Sequence, residues 1–559
     1  MTTKPSLIHL ALLVAAALMF GGCAAKEPSS RPDVGTGGGP GAAGSSGGAG
    51  GVTGAAGSSS GQGGGPRDAA ADGLGAGGAR DAGNAGADGG TDAGAATDGG
   101  QPPPPFNGPT IAGTVAVTRG STMGHLGPGF AGFSFEKTHM TDGFFTGSNA
   151  SLIALFKLLG PGILRIGAND VDSSTWVPTA TPVAGGQTSH SIGTVEVDAL
   201  AAFLQASGWK AIYGVSMRTA TQPSVDESVY VTSKLGTSLH SIEIGNEINF
   251  FANNAVGTPT MQWASFEAAI HGALPAIPLA GPAAAGAVTN FTVPFANAQG
   301  SKIILLTEHY YKGASASNPT FAQLLATDPS VVTQSQALAA AVRTNRIRDG
   351  YRWGEMNSYS GHGAAGVSNV FASALWGIDF MLTTAQYGAA GVNFHGGGQN
   401  MDGNVCTNGA ASCTRPFRYS PIDEVDSKVT GAAPLFYGML LVAQAGVGEM
   451  LPTRAMAANV NFTAYTIGLA DGSANIVIIN KDATSAVSTR IDAGASVSAA
   501  TARFLQASSL GATTGITFAG SGISSAGAWN PKPAYSLPTN GSAVTVVVPP
   551  AAAVMVHVQ

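Results

Sequence analysis

The chain has 559 residues, enough for more than one domain and a large core, yet only 10% are charged and the net charge is −6. That balance weighs against a nucleic-acid partner, which calls for a basic surface. The 10 histidines are scattered and the 3 cysteines form no paired CxxC, so with no HExxH either, neither a metal site nor a cofactor is expected.

Residues 1–22 carry Lys4 and then an apolar run from Ile8 to Phe20, too short to span a bilayer and typical of an export signal. The small residues before Cys23 read as a bacterial lipoprotein signal in which Cys23 takes the lipid. Phe20 departs from the usual Leu, and the alternative is an ordinary cleaved signal with an incidental Cys. Either way the chain is expected to be exported, touching a membrane only through its anchor, either on the cell envelope (outer membrane or surface) or secreted. Residues 23–105 are Gly, Ala, Ser and Asp with few large apolar side chains, closing on Pro102–Pro105. Such a composition cannot offset its ordering entropy, so a flexible tether is expected.

From there the elements alternate. Strand-like segments at 129–135, 163–166, 210–215, 241–247, 277–280, 302–307, 351–355 and 390–394 are separated by helical patterns, for example at 151–159 and 195–207. Eight such units predict a (β/α)8 barrel over 106–430. From Pro434 the texture changes to short alternating runs between Gly, Asp and Asn turns, predicting an antiparallel β-sandwich over 431–559, with the strand-like 110–117 as a candidate to complete it. Cys406 and Cys413 share a polar loop after the eighth strand, and in an exported chain a local disulfide is the favoured pairing.

Two segments carry chemistry. In 241–251 the fourth strand ends in Gly245-Asn246-Glu247, and in 351–362 the seventh ends in Gly354-Glu355. Two Glu residues at the C-terminal ends of parallel barrel strands converge on one face. A pair of carboxylates about 5–5.5 Å apart is the machinery of a retaining glycosidase, one acting as acid/base and the other as nucleophile. Glu243, pointing into the barrel, and Arg165 on the second strand are expected to form a structural ion pair, since unpaired buried charges are rare. Glu136 and Glu308 also end strands and are the alternative members of the pair. Glu308 is ranked as a sugar-binding or supporting group, Asn169 and Asp170 as hydroxyl binders or turn formers, and Asn393 and His395 as pocket lining. Trp376 and Asp379 look helical, and Trp376 is read as packing.

Gly245-Asn246-Glu247, Gly354-Glu355-Met356-Asn357-Ser358, 374–379 and 391–396, with Phe133–Glu136 and Arg165–Gly167, resemble glycoside hydrolase family 79, the β-glucuronidases and heparanase-like enzymes. The resemblance covers about 110–559. It implies a barrel with a β-sandwich and retention at the anomeric carbon, with Glu247 as acid/base, assisted by Asn246, and Glu355 as nucleophile. It further implies that Tyr311 or Tyr310, and the loop at Ser360-Gly361, hold the sugar carboxylate. Tyr359 sits one residue away from where an aromatic hydroxyl belongs, which is a departure from the pattern. The expected substrate is a β-glucuronide. The alternatives are a neutral-sugar β-glycosidase or endo-glycanase of the same clan, and a glycan-binding lipoprotein without turnover.

Overall fold

The computed structural model describes residues 101, 103–180, 188–251, 257–397 and 417–559. The export signal, Cys23, nearly all of the 23–105 linker, Cys406 and Cys413 lie outside the described residues.

Eight parallel strands close on one another: β1 (Ala131–Glu136), β2 (Ile163–Gly167), β3 (Lys210–Val215), β4 (Leu239–Ile244), β5 (Leu279–Ala285), β6 (Leu305–Ala314), β7 (Tyr351–Ser360) and β8 (Ala389–His395). Hydrogen bonding follows chain order around the ring, and β8 returns to β1. The strands are buried on both faces because helices cover the outside and side chains fill the inside. β6 and β7 run to ten residues each and stay paired up to Ala314–Ser360. They therefore carry the chain past the ring as a two-stranded wall at its C-terminal end.

Just past the expected boundary near residue 430 the chain is still helical. Pro434 opens a helix, Pro434–Gln444, rather than a new domain, because proline is tolerated in the first turn. That helix packs on Phe371–Gln386, and its Phe436 stacks on Phe133 of β1 at 6.3 Å. The helical layer of the barrel thus continues past 430.

The sandwich consists of two sheets. One is ordered Thr453–Ala457, Thr110–Val117, Ala486–Asp492, Ala543–Val548, Thr539–Asn540. The other is built around Phe462–Gly468, Ala474–Asn480, Ala552–Val558 and Ala500–Gln506. Thr110–Val117 alternates exposed and buried positions, placing Val115 and Val117 in the inter-sheet core. It runs antiparallel to 453–457 but parallel to 486–492, the exception to an otherwise antiparallel arrangement. The sandwich is fastened to the barrel through Asp379 of helix Phe371–Gln386. This carboxylate accepts from Thr463 and Tyr465 hydroxyls and from Lys481 Nζ, each at 2.8 Å. Among the described residues, no helix is long and apolar enough to cross a membrane.

A buried ion cluster anchors the segment that returns after β8. His139, just beyond β1, pairs through Nδ1 with Asp142 and through Nε2 with Glu424 at 3.1 Å, and stacks on Phe144 at 4.5 Å. Burial alone would lower the imidazole pKa, but the two carboxylates outweigh it and raise it from 6.5 to about 10. A histidine raised in the folded state contributes stability that is complete below 6.5 and is lost as pH rises towards 10. His139→Gln should therefore cost about 3–5 kcal/mol near neutrality by leaving buried carboxylates without their cation. It should also flatten the decline of melting temperature between pH 7 and 10; thermal melts of both proteins across that range check both points.

Candidate active site

The strand ends bring together a small set of charged groups. Gly245 takes a left-handed turn after β4 (φ 75°), where an added Cβ would lie 2.7 Å from Ile248 Cγ2. Glu247 is also left-handed, at φ 48° and ψ 44°, held by its N–H to the Ala283 carbonyl at 2.7 Å. A non-glycine residue fixed there costs about 1–2 kcal/mol, and such positions cluster at functional sites.

Arg165 is the hub. It has no exposed surface, and every guanidinium nitrogen is used. Nε donates to Glu243 Oε2 at 2.6 Å, Nη1 to Glu355 Oε2 at 3.0 Å and Ser134 Oγ at 3.1 Å, and Nη2 to Asn246 Oδ1 at 2.9 Å. The second Glu243 oxygen accepts from the Thr307 hydroxyl at 2.8 Å. Glu355 is buried, and its other oxygen accepts from Tyr311 at 2.8 Å. Burial would raise the Glu355 pKa, but His395, His309 and Arg165, with the Tyr311 hydroxyl, outweigh it and hold it at about 2. Glu355 is thus held as the anion, the form that a nucleophilic carboxylate requires.

Glu247 is more open, with 24% of its side chain exposed, and its Oε1 faces His309 Nδ1 at 3.2 Å. One ligand atom each from Glu247, His309 and Glu355 lie within 4.8 Å of one another. The same three atoms form a donor set for a divalent cation; they come from three different loops and strands, so no sequence-local pattern reveals them.

Alternation along β6 sorts the Thr307–Tyr311 candidates. His309 and Tyr311 reach Glu247 and Glu355, whereas Glu308 and Tyr310 face outward. Glu308 accepts from the Ala287 N–H at 3.0 Å and the Thr292 hydroxyl, clamping the loop after β5 rather than a sugar. Tyr310 donates to Asp328 at 2.6 Å and packs on Phe380 at 5.0 Å, among the outer helices. Tyr311 spends its proton on Glu355 instead of a sugar carboxylate. Asn169 is exposed and lies 3.5 Å from Glu136 Oε1, and the Asp170 N–H donates to Glu136 Oε2 at 2.8 Å. Burial, Asp170 and Glu355 push the Glu136 carboxyl well above its ordinary range. His395 is buried with Nε2 3.7 Å from Glu136, and burial lowers its pKa. Tyr359 is buried on the β6–β7 wall opposite Gly313, with Ser360 and the left-handed Gly361 (φ 70°) next in the chain. Asn393, placed in the pocket by the sequence, instead serves the barrel wall: its Oδ1 accepts from Arg352 and its Nδ2 donates to the Phe133 carbonyl at 2.7 Å.

Three contributors carry no sequence signal strong enough to predict them. His309 lies between the candidates Glu308 and Tyr310, and strand parity with Tyr311 selects it. Asp172 ties two loops together, accepting from the Met217 N–H at 2.8 Å and the Asn246 N–H at 3.0 Å. Tyr419 is buried against Tyr311, with ring centroids 6.1 Å apart. It arrives from beyond the loop after β8, and no motif marks it.

No protein-family model matches the sequence, and no curated protein matches it. Among solved structures the chain is similar to a 4-O-α-L-rhamnosyl-β-D-glucuronidase from Fusarium oxysporum 12S. The identity is 17% over 80% of this chain and 99% of that one, with a TM-score of 0.64. It is also similar to a GH51 arabinofuranosidase from Xanthomonas axonopodis pv. citri, at 14% identity over 80% and 100%, TM-score 0.57. A third is CelM2, a bifunctional glucanase-xylanase from a metagenome library, at 13% identity over 80% and 99%, TM-score 0.54. The likeness is one of fold: a closed barrel with a sheet domain, shared with glycoside hydrolases that act on different sugars.

Two measurements probe this geometry. Arg165→Lys keeps a charge but not the fork that reaches four acceptors. It should lower stability by about 2–4 kcal/mol and move the acidic limb of any pH–rate profile upward, read from melts and from kcat/KM against pH. Burial raises the Glu308 pKa to about 8. The unfolded chain therefore loses its proton first, and stability falls as pH climbs from the ordinary carboxylate range to 8. The uncharged Glu308→Gln should remove most of that slope; an unchanged slope would mean that Glu308 is already ionised in the folded state.

Proposed function

We propose that the chain is a glycoside hydrolase that cleaves β-glycosides with retention of configuration, using Glu247 as acid/base and Glu355 as nucleophile. The observation that carries this reading is the spacing: one oxygen of each carboxylate lies within 4.8 Å of the other, with Glu247 in the turn beyond β4 and Glu355 midway along β7. An inverting enzyme needs about 6.5–9.5 Å to admit water between its two groups, whereas about 5–5.5 Å suits direct attack.

The chemistry follows from the two environments. Glu355, kept ionised by Arg165 and Tyr311, attacks the anomeric carbon while Glu247 delivers its proton to the departing oxygen. The sugar is then an ester of Glu355, and Glu247, now a carboxylate, takes a proton from water as that water attacks the same carbon. Free sugar leaves, and both carboxyl groups return to their starting states. Asn246, whose Oδ1 is held by Arg165, keeps its amide N–H groups for a sugar hydroxyl.

For the sugar we favour a β-glucuronide, on the motif resemblance and on the fold neighbour named as a rhamnosyl-glucuronidase. One observation favours a neutral sugar instead. All the Arg165 nitrogens are engaged by the protein, and Glu136, near both Asp170 and Glu355, adds a further carboxyl group. The test is release of nitrophenol from the β-glucuronide, β-glucoside and β-galactoside, with the product anomer followed by NMR. Turnover of the glucuronide, with retention and a loss of at least about 10²-fold in Glu247→Gln and Glu355→Gln, is the expected result. Turnover of a neutral glycoside keeps the mechanism and overturns the sugar. Full activity in Glu355→Gln overturns the nucleophile, and silence on every substrate favours a glycan-binding protein.

A further inference from the structure

The catalytic pair is closed on one side and open on the other. The Glu355 side chain is 5% exposed, against 24% for Glu247. If Glu247 is the acid, it must touch the departing oxygen, so whatever borders its open side meets the leaving group.

That border is built in a specific way. Glu247 leads into the turn Ile248–Phe250, closed by the Phe250 N–H on the Glu247 carbonyl at 2.9 Å. Phe250 is 49% exposed, although most large apolar side chains of the barrel are buried. A lone exposed aromatic is ordinary on a protein surface; this one stands three residues from the acid/base and beside a second device. Phe251, nearly buried, carries the Arg218 guanidinium over its ring, 3.8 Å from the centroid. Arg218 follows Met217, whose N–H is held by Asp172, the carboxylate that also holds the Asn246 N–H. The Met217 carbonyl accepts from Gln262 at 2.8 Å, which secures the first turns of helix Gly257–Ala273. The segment bearing Phe250 and Phe251 thus continues directly from the acid/base, and the segment bearing Arg218 is tied through Asp172 to Asn246 next to it.

We propose that Phe250, with Arg218 held over Phe251, forms a leaving-group subsite for a second sugar ring, so that the substrate is a glycan rather than a simple alkyl glycoside. A pyranose offers an apolar C–H face and a girdle of hydroxyls, which match an exposed phenyl ring beside guanidinium donors. The inference rests on the glycosidase reading and adds the identity of the leaving group to it.

The test compares two substrates that share the sugar cleaved by the parent protein: a disaccharide, and the glycosyl fluoride, whose one-atom leaving group reaches no further subsite. In Phe250→Ala and Arg218→Ala the ratio of kcat/KM for the disaccharide to that for the fluoride should fall about fivefold or more, and Phe250→Trp should restore it. Because the ratio cancels the active fraction, partial misfolding does not imitate the effect. An unchanged ratio overturns the subsite, and a fall seen with nitrophenyl glycosides but not with the disaccharide overturns the sugar as occupant. A parent protein that hydrolyses no glycosyl fluoride overturns the glycosidase reading itself, a failure distinct from the other two.

Discussion

A permanent positive charge sealed inside a barrel must be neutralised on the spot, and the strand ends are arranged around that requirement. Arg165 on β2 reaches Ser134 on β1, Glu243 on β4, Asn246 in the turn beyond it and Glu355 on β7. The guanidinium is planar and its donors point in fixed directions, so satisfying all four acceptors sets the relative heights of these strands. Desolvation would be severe for the cation alone and for either carboxylate alone; together, with Thr307 completing Glu243, each has its partners. The bonds that make the charge tolerable also hold the Glu355 carboxylate in place.

Asymmetry between the carboxylates of Glu247 and Glu355 results from this arrangement. Glu355 is enclosed and receives Arg165 and Tyr311, both favouring its anion. Glu247 stands at the edge, opposite a histidine, on a strained turn that aims it at the same point. Two identical side chains meet different environments because one is surrounded by donors and the other is left more open.

Much of this was legible in the sequence, for identifiable reasons. Short apolar runs at βα spacing locate all eight strands, because a doubly covered strand must be apolar on both faces. Gly-Asn-Glu lies just past β4, but Gly354-Glu355, read as a strand end, sits midway along β7, because the polar residues that follow it continue the pairing with β6. Within Thr307–Tyr311, composition alone suggests too many ligands; only alternation separates His309 and Tyr311, which face inward, from Glu308 and Tyr310, which do not. Pro434 reads as a break but starts a helix, because proline can end one element or open the next, and the apolar run after it decides between them. Tyr419 was not foreseeable: nothing local to it says that a distant loop returns the chain to Tyr311.

Thr110–Val117 is synthesised before the barrel, yet its partners on both sides, 453–457 and 486–492, are made only after it. Until they emerge, the strand has two open edges and an apolar stripe bearing Val115 and Val117. Closing so long a loop is entropically slow, and unpaired strands invite pairing between chains in the meantime. Loss of the C-terminal sheets would therefore remove more than a domain: it would leave an adhesive ribbon at the front of an otherwise complete barrel. Both ends of the folded region are fastened in one sandwich, and assembly finishes where it began.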